Sequence, residues 1–225
     1  YVTGMAVVTT CETLRKKICE RGAEYLGCSP DDVEFDGEKV VNLKTKEEIT
    51  RKEIGNKVMC SSNAPLSATE AFSSPVSPPP FMVGIAEVEI DKETGVVEPI
   101  DYAAVVDCGT VVNPNLARVQ TEGGIAQGIG MALYEDIIYS EKGKNYSNSF
   151  MQYKIPSRLD VGEIRVEFES SYEPTGPFGA KSIGEIVINT PSPAISNAVQ
   201  NAVGVIVREL PITAEKVYKG MAEKE

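Results

Sequence analysis

The spacing of hydrophobic positions predicts a long amphipathic helix at the start of the chain. Between about residues 4 and 27, apolar side chains recur at intervals of three and four residues, as on one face of an α-helix, and Gly27 suits a C-cap. Asp36-Gly37 then separates two short apolar runs, which indicates a β-hairpin. A Lys/Glu-rich stretch from Lys44 to Lys57 follows, and we expect it to be a solvated surface segment.

A proline- and serine-rich segment, residues 73–80 (SSPVSPPP), interrupts this pattern. Proline lacks a backbone N–H and has a fixed φ, so the segment fits neither a helix interior nor a central strand. We therefore expect an extended connection at residues 73–80. It separates an N-terminal helix and hairpin subregion, residues 1–72, from a larger region, residues 81–225.

Strands and helices are mixed in the larger region. Alternating apolar and polar positions predict strands, and capping residues before apolar positions at helical spacing predict helices. Because no regular strand–helix alternation is present, the pattern favours the α+β class. The predicted strands cover residues 82–90, 96–100, 102–107, 164–168 and 205–210. The predicted helices cover residues from Asn113-Pro114 to about 137, from Ser192-Pro193 to Gly204, and from Thr213 onward.

The charge balance and the absence of histidine exclude several functions. The chain has 33 acidic and 22 basic residues, a net charge of -11, and this field disfavours binding to nucleic acid or to an anionic membrane. No apolar run in the sequence reaches the roughly 20 residues that a membrane span needs. The sequence contains no histidine, which excludes Ser-His-Asp catalysis and most zinc enzymes. Acid–base chemistry is therefore left to carboxylates, lysines, tyrosines or a cofactor.

The five cysteines have no CxxC spacing. An odd number without that spacing indicates reduced thiols rather than a disulfide framework or a metal site. We therefore expect a cytoplasmic protein, and we predict no metal ligand among the residues of this chain.

A glycine-rich segment, Gln120 to Gly130 (QTEGGIAQGIG), lies within the first helix predicted after the connection. Each glycine in a helix interior costs about 1 kcal/mol relative to alanine, so close approach of another group is indicated. That group is either a neighbouring helix or a planar polar ligand met by the amides of Gln120 and Gln127. A dinucleotide-binding loop is disfavoured, because the third glycine of its fingerprint is missing.

A second unusual stretch, Pro177 to Glu185 (PFGAKSIGE), precedes the apolar run Ile186 to Ile188. Burial beside such a run raises the pKa of a carboxyl group, which would make Glu185 a better base near neutral pH. Backbone amides at residues 181–183 could also form an anion-holding nest. An ordinary loop with a surface glutamate fits the same residues, and position alone leaves these alternatives open.

A set of motifs, in order along the chain, resembles the second molybdenum-binding region of the xanthine dehydrogenase/aldehyde oxidase family of molybdenum hydroxylases. The resemblance covers essentially the entire chain, and its opening residues 1–7 look like the start of the helix after that family's cofactor loop. Each motif alone is weak, whereas the ordered set is specific. The motifs are residues 87–95 (EVEIDKETG), 106–109 (VDCG) with Asn113-Pro114, 120–124 (QTEGG), 127–130 (QGIG), 153–156 (YKIP) and 179–185 (GAKSIGE).

The resemblance implies the C-terminal molybdenum-cofactor-binding domain of these enzymes. Glu185 matches the glutamate that takes a proton from the hydroxide ligand of molybdenum. The family then hydroxylates an N-heterocycle such as a purine, with water as the oxygen source. Gln120 matches a glutamine that hydrogen-bonds the molybdopterin, and Lys181, Ser182 and Ile183 match the loop that borders this cofactor. For Gln127 we expect helix packing, and for Asn113 helix capping.

The resemblance also implies partners, because the family's other cofactor-gripping loop, substrate-orienting residues and iron–sulfur cysteines have no counterpart in this sequence. The chain also opens at Tyr1 rather than at a methionine. We expect it to share the molybdenum cofactor with the remainder of the molybdenum subunit. Iron–sulfur clusters, with or without FAD, are expected on other domains or on iron–sulfur and FAD subunits. The partner in catalysis is a small-molecule substrate.

Other substrates and one other role fit the same motifs. Residues 184–189 (GEIVIN) resemble the purine-type members slightly more than the aldehyde members. Hydroxylation of nicotinate, an aldehyde or another aromatic compound stays open. A non-catalytic subunit that only covers the cofactor is disfavoured, since Glu185 stands in its glycine-flanked turn.

Overall fold

The computed structural model describes residues 1–61 and 65–223. The chain forms two compact units, Tyr1–Ser77 and Pro78–Glu225. The boundary between them falls inside the proline-rich segment 73–80. Residues 62–64 and 224–225, which belong to the two predicted regions, lie outside the described residues.

The first unit packs one long helix against a small sheet and a short helix. Strand β2 is central and antiparallel to both neighbours. Gly27 ends the first helix in the left-handed conformation, with a φ of 67°, as the sequence predicts. The core residues are Ile18, Val40, Ile49, Ile54 and Val58. The elements are α1 (Val2–Leu26), β1 (Val33–Phe35), β2 (Lys39–Asn42), β3 (Glu48–Thr50) and α2 (Arg51–Met59).

The prediction of a solvated segment from Lys44 to Lys57 is wrong in part. Strand β3 and most of α2 lie in this stretch, and three of the five core residues of the unit come from these two elements. Thr50 and Glu53 form a capping box at the start of α2, which satisfies two backbone N–H groups. The abundant charges lie on the outer faces, and the few apolar residues between them face the core.

The second unit contains a three-stranded sheet in the order β4-β5-β6. Strand β4 is antiparallel to β5, and β6 is parallel to β5. A parallel pair needs a long crossover connection, and α3 lies in the crossover between β5 and β6. The strands are β4 (Phe81–Ile90), β5 (Val97–Asp107) and β6 (Glu163–Glu169), and the helices are α3 (Pro114–Leu133), α4 (Pro191–Val203) and α5 (Ala214–Ala222).

One hydrophobic core holds this sheet against its helices. Tyr102 and Val166 from the sheet are buried with Ile125 of α3 and Ile195 of α4. Tyr102 also donates a hydrogen bond from its hydroxyl to Thr190 Oγ1, at 2.8 Å. The contact ties the central strand to the residue just before α4.

Three element boundaries differ from the predicted ones. Strand β5 is continuous through Asp101 rather than two strands, because every residue of it except Ile100, at an irregularity in the ladder, pairs with β4 or β6. Helix α3 ends at Leu133 instead of about residue 137. Residues 205–210 form no strand. The remaining predicted strands and helices of this region are present within a few residues, so the α+β class is confirmed.

Candidate active site

The loop that carries Glu185 connects β6 to α4 through a sharply turned backbone. Phe178 and Gly179 both have positive φ, at 53° and 86°. A left-handed φ is strained for phenylalanine and is tolerated by glycine. The carbonyl oxygen of Gly179 accepts hydrogen bonds from the amides of Thr110 and Glu173, at 2.8 and 3.0 Å. The turn is therefore bonded to the chain that leaves β5.

Gly109 allows the loop to approach the end of β5 closely. Gly109 has a φ of 71° and forms an isolated antiparallel bridge with Ala180. A methyl group at Gly109 would overlap the backbone of Gly179 and Lys181. Only glycine tolerates both this dihedral angle and this close contact. The glycine of the VDCG motif therefore lets the end of β5 contact the backbone of the Glu185 loop.

Lys181 and Asp107 form a largely buried ion pair beside this contact. Lys181 Nζ lies 2.7 Å from Asp107 Oδ2, and the two side chains are 10% and 19% exposed. Asp107 Oδ1 accepts further bonds from the Gly109 amide and the Ser171 hydroxyl, at 2.9 and 2.6 Å. Burial by itself would raise the pKa of Asp107, but the hydrogen bonds from Lys181, Ser171 and Gly109 outweigh it and lower this pKa to about 2.

Three glycines of α3 differ in what surrounds them. A methyl group at Gly124 would overlap Val187, and one at Gly128 would overlap Pro191. These two glycines therefore let α3 pack tightly against the residues that follow Glu185. At Gly123, in contrast, no described atom lies within 4 Å of the methyl position. The sequence left helix packing and ligand approach open, and packing explains Gly124 and Gly128 but not Gly123.

Gln120 binds the loop directly. Its side-chain Nε2 donates to the carbonyl oxygen of Gly184, at 2.9 Å. Gly184 immediately precedes Glu185, so helix α3 holds the backbone beside the proposed base. The same amide keeps its carbonyl oxygen and its second N–H available to a ligand.

Glu185 lines a cleft of about 360 Å³ between α3 and its own loop. Gln120 and Gly184 line this Glu185 cleft and also a neighbouring apolar cleft of about 420 Å³, so their hydrogen bond lies where the two meet. The Glu185 cleft is lined by Val119, Gln120, Gly123, Gly124, Gln127, Gly184, Glu185 and Ile188.

The structure brings the predicted site residues into one region of the second unit. Glu185 and Ser182 are exposed, and Ile183 is half-buried. The exposure of Glu185 differs from the burial expected beside residues 186–188, because within this run only Val187 is fully buried. Gln127 also differs from expectation, since its side chain is exposed on the wall of the Glu185 cleft rather than packed.

Two further expectations concern backbone groups near these residues. Asn113 caps α3 as predicted, accepting from the Leu116 amide at 3.1 Å. The amide of Lys181 donates to Cys108 O, at 2.7 Å, and so is not free for an anion. Within residues 1–61 and 65–223, the amides of Ser182 and Ile183 have no hydrogen-bond partner.

Sequence reasoning missed the role of Asp107. The sequence marks Asp107 only as one residue of the VDCG motif. The signal was an acidic residue at the end of an apolar strand, followed by glycine, with one lysine in a distant glycine-rich loop. Nothing in the sequence pairs these two residues, because 74 positions separate them.

The described residues also bear on metal binding and on membrane insertion. They hold no cluster of three or more His, Cys, Asp or Glu residues that could bind a metal ion. No helix in this part of the chain is both long and apolar enough to cross a membrane.

Comparison with known proteins defines the class of this fold and site. The molybdopterin cofactor-binding domain family matches residues 1–162. Over 94% of this chain, the structure superposes on quinoline 2-oxidoreductase from Pseudomonas putida 86, with a TM-score of 0.79 and 27% identity, and covers 28% of that chain. The fold is therefore the molybdenum-cofactor-binding domain of the molybdenum hydroxylases.

Curated relatives extend the match through the Glu185 loop. "Probable hypoxanthine oxidase XdhD" of Escherichia coli K12 is 34% identical over 224 residues, 97% of this chain and 23% of that protein. The 6-hydroxypseudooxynicotine dehydrogenase complex subunit gamma of Paenarthrobacter nicotinovorans is 31% identical over 87% of this chain and 26% of its own length. The chain belongs to the xanthine dehydrogenase/aldehyde oxidase family and corresponds to the C-terminal molybdopterin-binding part of its large subunit. It spans about a quarter of the length of these relatives.

Proposed function

We propose that this chain supplies the general base and one wall of the cofactor site in a molybdenum hydroxylase that acts on an N-heterocycle. The observation that carries the proposal is the Glu185 cleft. It combines an exposed carboxylate with two glutamine amides, Gln120 and Gln127, and with open glycine surface. The oxidoreductase would be active only together with the rest of the enzyme.

The residues of the cleft fit a planar cofactor. Gly123 and Gly184 both line it, and neither has a described atom within 4 Å of the position a methyl group would take. Glycine in a helix interior is unfavourable by about 1 kcal/mol relative to alanine, so the open surface at Gly123 suits a ligand that lies flat on α3. The pterin of the molybdenum cofactor has that shape.

Three groups of this chain would hold the cofactor. Gln120 offers its side-chain carbonyl oxygen and one N–H, and Ser182 and Ile183 offer backbone amides that bond to no other described residue. Amides of this kind suit the polar edge of a pterin or a phosphate oxygen. Lys181 belongs to the same loop, but its ammonium group is bonded to Asp107.

Glu185 would perform the proton transfer. Its carboxylate is exposed in the cleft and bonds to no described residue, so an oxygen atom is available to accept a proton from the attacking hydroxyl group. When bound, the molybdenum cofactor supplies the two-electron oxidation of the substrate carbon, with water as the source of oxygen. A positioned general base contributes about 10²–10⁴ in rate.

An N-heterocycle is the proposed substrate class. Hypoxanthine and quinoline, in the names of two similar proteins, are both nitrogen heterocycles. We infer that the remainder of the molybdenum subunit selects the substrate, and that an iron–sulfur subunit, with or without an FAD subunit, removes the electrons. A screen of purines, nicotinate and aldehydes as substrates of the complete enzyme tests the class.

The replacement Glu185→Gln in the complete enzyme tests the base. The amide keeps the shape of the side chain but cannot accept a proton, so kcat is expected to fall at least a hundredfold while molybdenum content stays near wild type. Glu167→Gln, an exposed glutamate on β6, is the matched control and should leave both quantities unchanged. If Glu185→Gln turned over at the wild-type rate, Glu185 would not be the general base.

A further inference from the structure

The segment from Lys181 to Glu185 is held at few points. Lys181 makes two bonds, one from its amide to Cys108 O and one from Nζ to Asp107, both at 2.7 Å. Gly184 is held by Gln120. Between them, Ser182 and Ile183 make no hydrogen bond to any other described residue. Both of these anchors precede Glu185, and on its other side its own carbonyl oxygen accepts a hydrogen bond from the Ile188 amide at 3.1 Å. The approach of the chain to Glu185 therefore depends on Lys181 and Gln120.

The Lys181 side chain is held by contacts with other residues of the second unit. It is only 10% exposed, its ammonium group contacts Asp107, and Nζ lies 5.5 Å from the centre of the Phe81 ring. An ammonium group over an aromatic face is stabilised by the ring electrons. These contacts hold the ammonium group at the end of the sheet.

Asp107 is a rigid acceptor for this lysine. It ends β5, the central strand, where it pairs with Phe81 of β4 and Glu169 of β6. Its other oxygen is fixed by Ser171 and the Gly109 amide. Because all three donors are in place, this partly buried carboxylate has one preferred orientation. Its bond to Lys181 Nζ therefore fixes the position of the loop relative to the sheet.

We propose that Lys181 is a positioning residue, which fixes Glu185 in the cleft through its ion pair with Asp107, and not a cofactor ligand. The inference rests on the proposed function, since it assumes that Glu185 is the general base that Lys181 positions. A misplacement of about 1 Å at a reacting group can lower a rate by about a hundredfold. The two anchors of the segment, Lys181 and Gln120, would thus set the efficiency of the base.

The test compares Lys181→Met with Lys181→Arg in the complete enzyme. Lys181→Met removes the charge but keeps the length of the side chain, and we expect kcat to fall about tenfold or more with KM and molybdenum content near wild type. Lys181→Arg keeps the pair with Asp107 and should recover most of the rate. Arg165→Met, which breaks the exposed ion pair with Asp101 on the same sheet, is the control and should leave kcat unchanged.

A double-mutant cycle shows whether Lys181 acts through Glu185. In the Glu185→Gln background, measured as slow single-turnover reduction of the cofactor, Lys181→Met should cause no further loss, because residues that act as a unit are not additive. An equal loss in both backgrounds would overturn the positioning role, and so would a fall in molybdenum content that parallels the fall in rate.

Two further outcomes are informative. If Lys181→Met does not fold, as judged by its melting temperature, Lys181→Gln keeps a hydrogen-bond donor for Asp107 without the charge and enters the same cycle. If Glu185→Gln alone turns over at the wild-type rate, the proposed function and the positioning role both fall. If Glu185→Gln is inactive and Lys181→Met causes the same further loss of rate in that background as in the wild type, only the positioning role is overturned.

Discussion

Gln120 Nε2 donates to the carbonyl oxygen of Gly184 at 2.9 Å, so a helix residue is bonded to the residue that immediately precedes Glu185. The bond spans 64 positions of sequence. It joins the two stretches that the motifs mark separately, the glycine-rich helix and the glycine-rich loop.

Replacing Gln120 should loosen this junction. Gln120→Leu removes the donor, and Gln120→Glu places a carboxylate, which cannot donate, opposite the Gly184 carbonyl. We expect kcat/KM of the complete enzyme to fall about tenfold or more in both variants, with Gln120→Glu at least as impaired. Steady-state kinetics and metal analysis check this, with Arg118→Gln, an exposed residue of the same helix, as control. Wild-type kinetics in Gln120→Leu would contradict the prediction.

Gly124 and Val187 should be energetically coupled. A methyl group at Gly124 would overlap the buried Val187 side chain, and overpacking of this kind costs about 1–3 kcal/mol. Val187→Ala alone should also destabilise, by leaving a cavity. The double variant should lose clearly less than the sum of the two, because the smaller side chain makes room for the added methyl group. Urea unfolding of the four proteins measures this, and strict additivity would show that the two positions do not compete for space.

Gly123→Ala should separate stability from cofactor binding. No described atom lies near the added methyl group, so the higher helix propensity of alanine should raise the free energy of unfolding by about 0.5–1 kcal/mol. The same methyl group would narrow the Glu185 cleft, and molybdopterin content should fall. Gly55→Ala in α2, also at an open helix position, should raise stability without changing cofactor content. A fully loaded Gly123→Ala enzyme would show that the ligand does not lie on this glycine.

Asp107 should make stability depend on pH in the acid range. Its pKa is about 2 in the folded protein, below the value near 4 of an unfolded chain. A group with a lowered folded pKa contributes stability that is complete above its unfolded pKa and is lost as the pH falls toward its folded pKa. We expect this contribution to be on the order of 1–2 kcal/mol, with allowance for partial exposure, and to disappear between pH 5 and pH 2.

Asp107→Asn provides the comparison for that pH dependence. Urea unfolding at pH 5 and at pH 2.5 should show a smaller difference in this variant than in the wild type. Asp101→Asn, whose partner Arg165 is largely exposed, should reduce the difference less. Equal pH dependence in the wild type and Asp107→Asn would mean that the bonds of Asp107 to Lys181, Ser171 and Gly109 add no pH-dependent stability.

Local features of the fold were predictable because they depend on residues close together in sequence. The left-handed cap at Gly27, the hairpin at Asp36-Gly37 and the Asn113 cap of α3 each involve neighbours within a few positions. The strand β3 and the helix α2, which lie largely within Lys44 to Lys57, were not predictable, since their few apolar residues are buried in a core shared with Ile18 of α1 and Val40 of β2.

The sequence by itself determined the α+β class, the family and the choice of Glu185 as the candidate base. Tertiary structure decided how that base is held. The Lys181–Asp107 pair and the Gln120–Gly184 bond join residues 74 and 64 positions apart. Such pairs form because the tertiary fold brings distant segments together, and local spacing does not predict them. Gly123 and Gly124, adjacent and identical in sequence, face open space and Val187 respectively, because successive helix residues point about 100° apart.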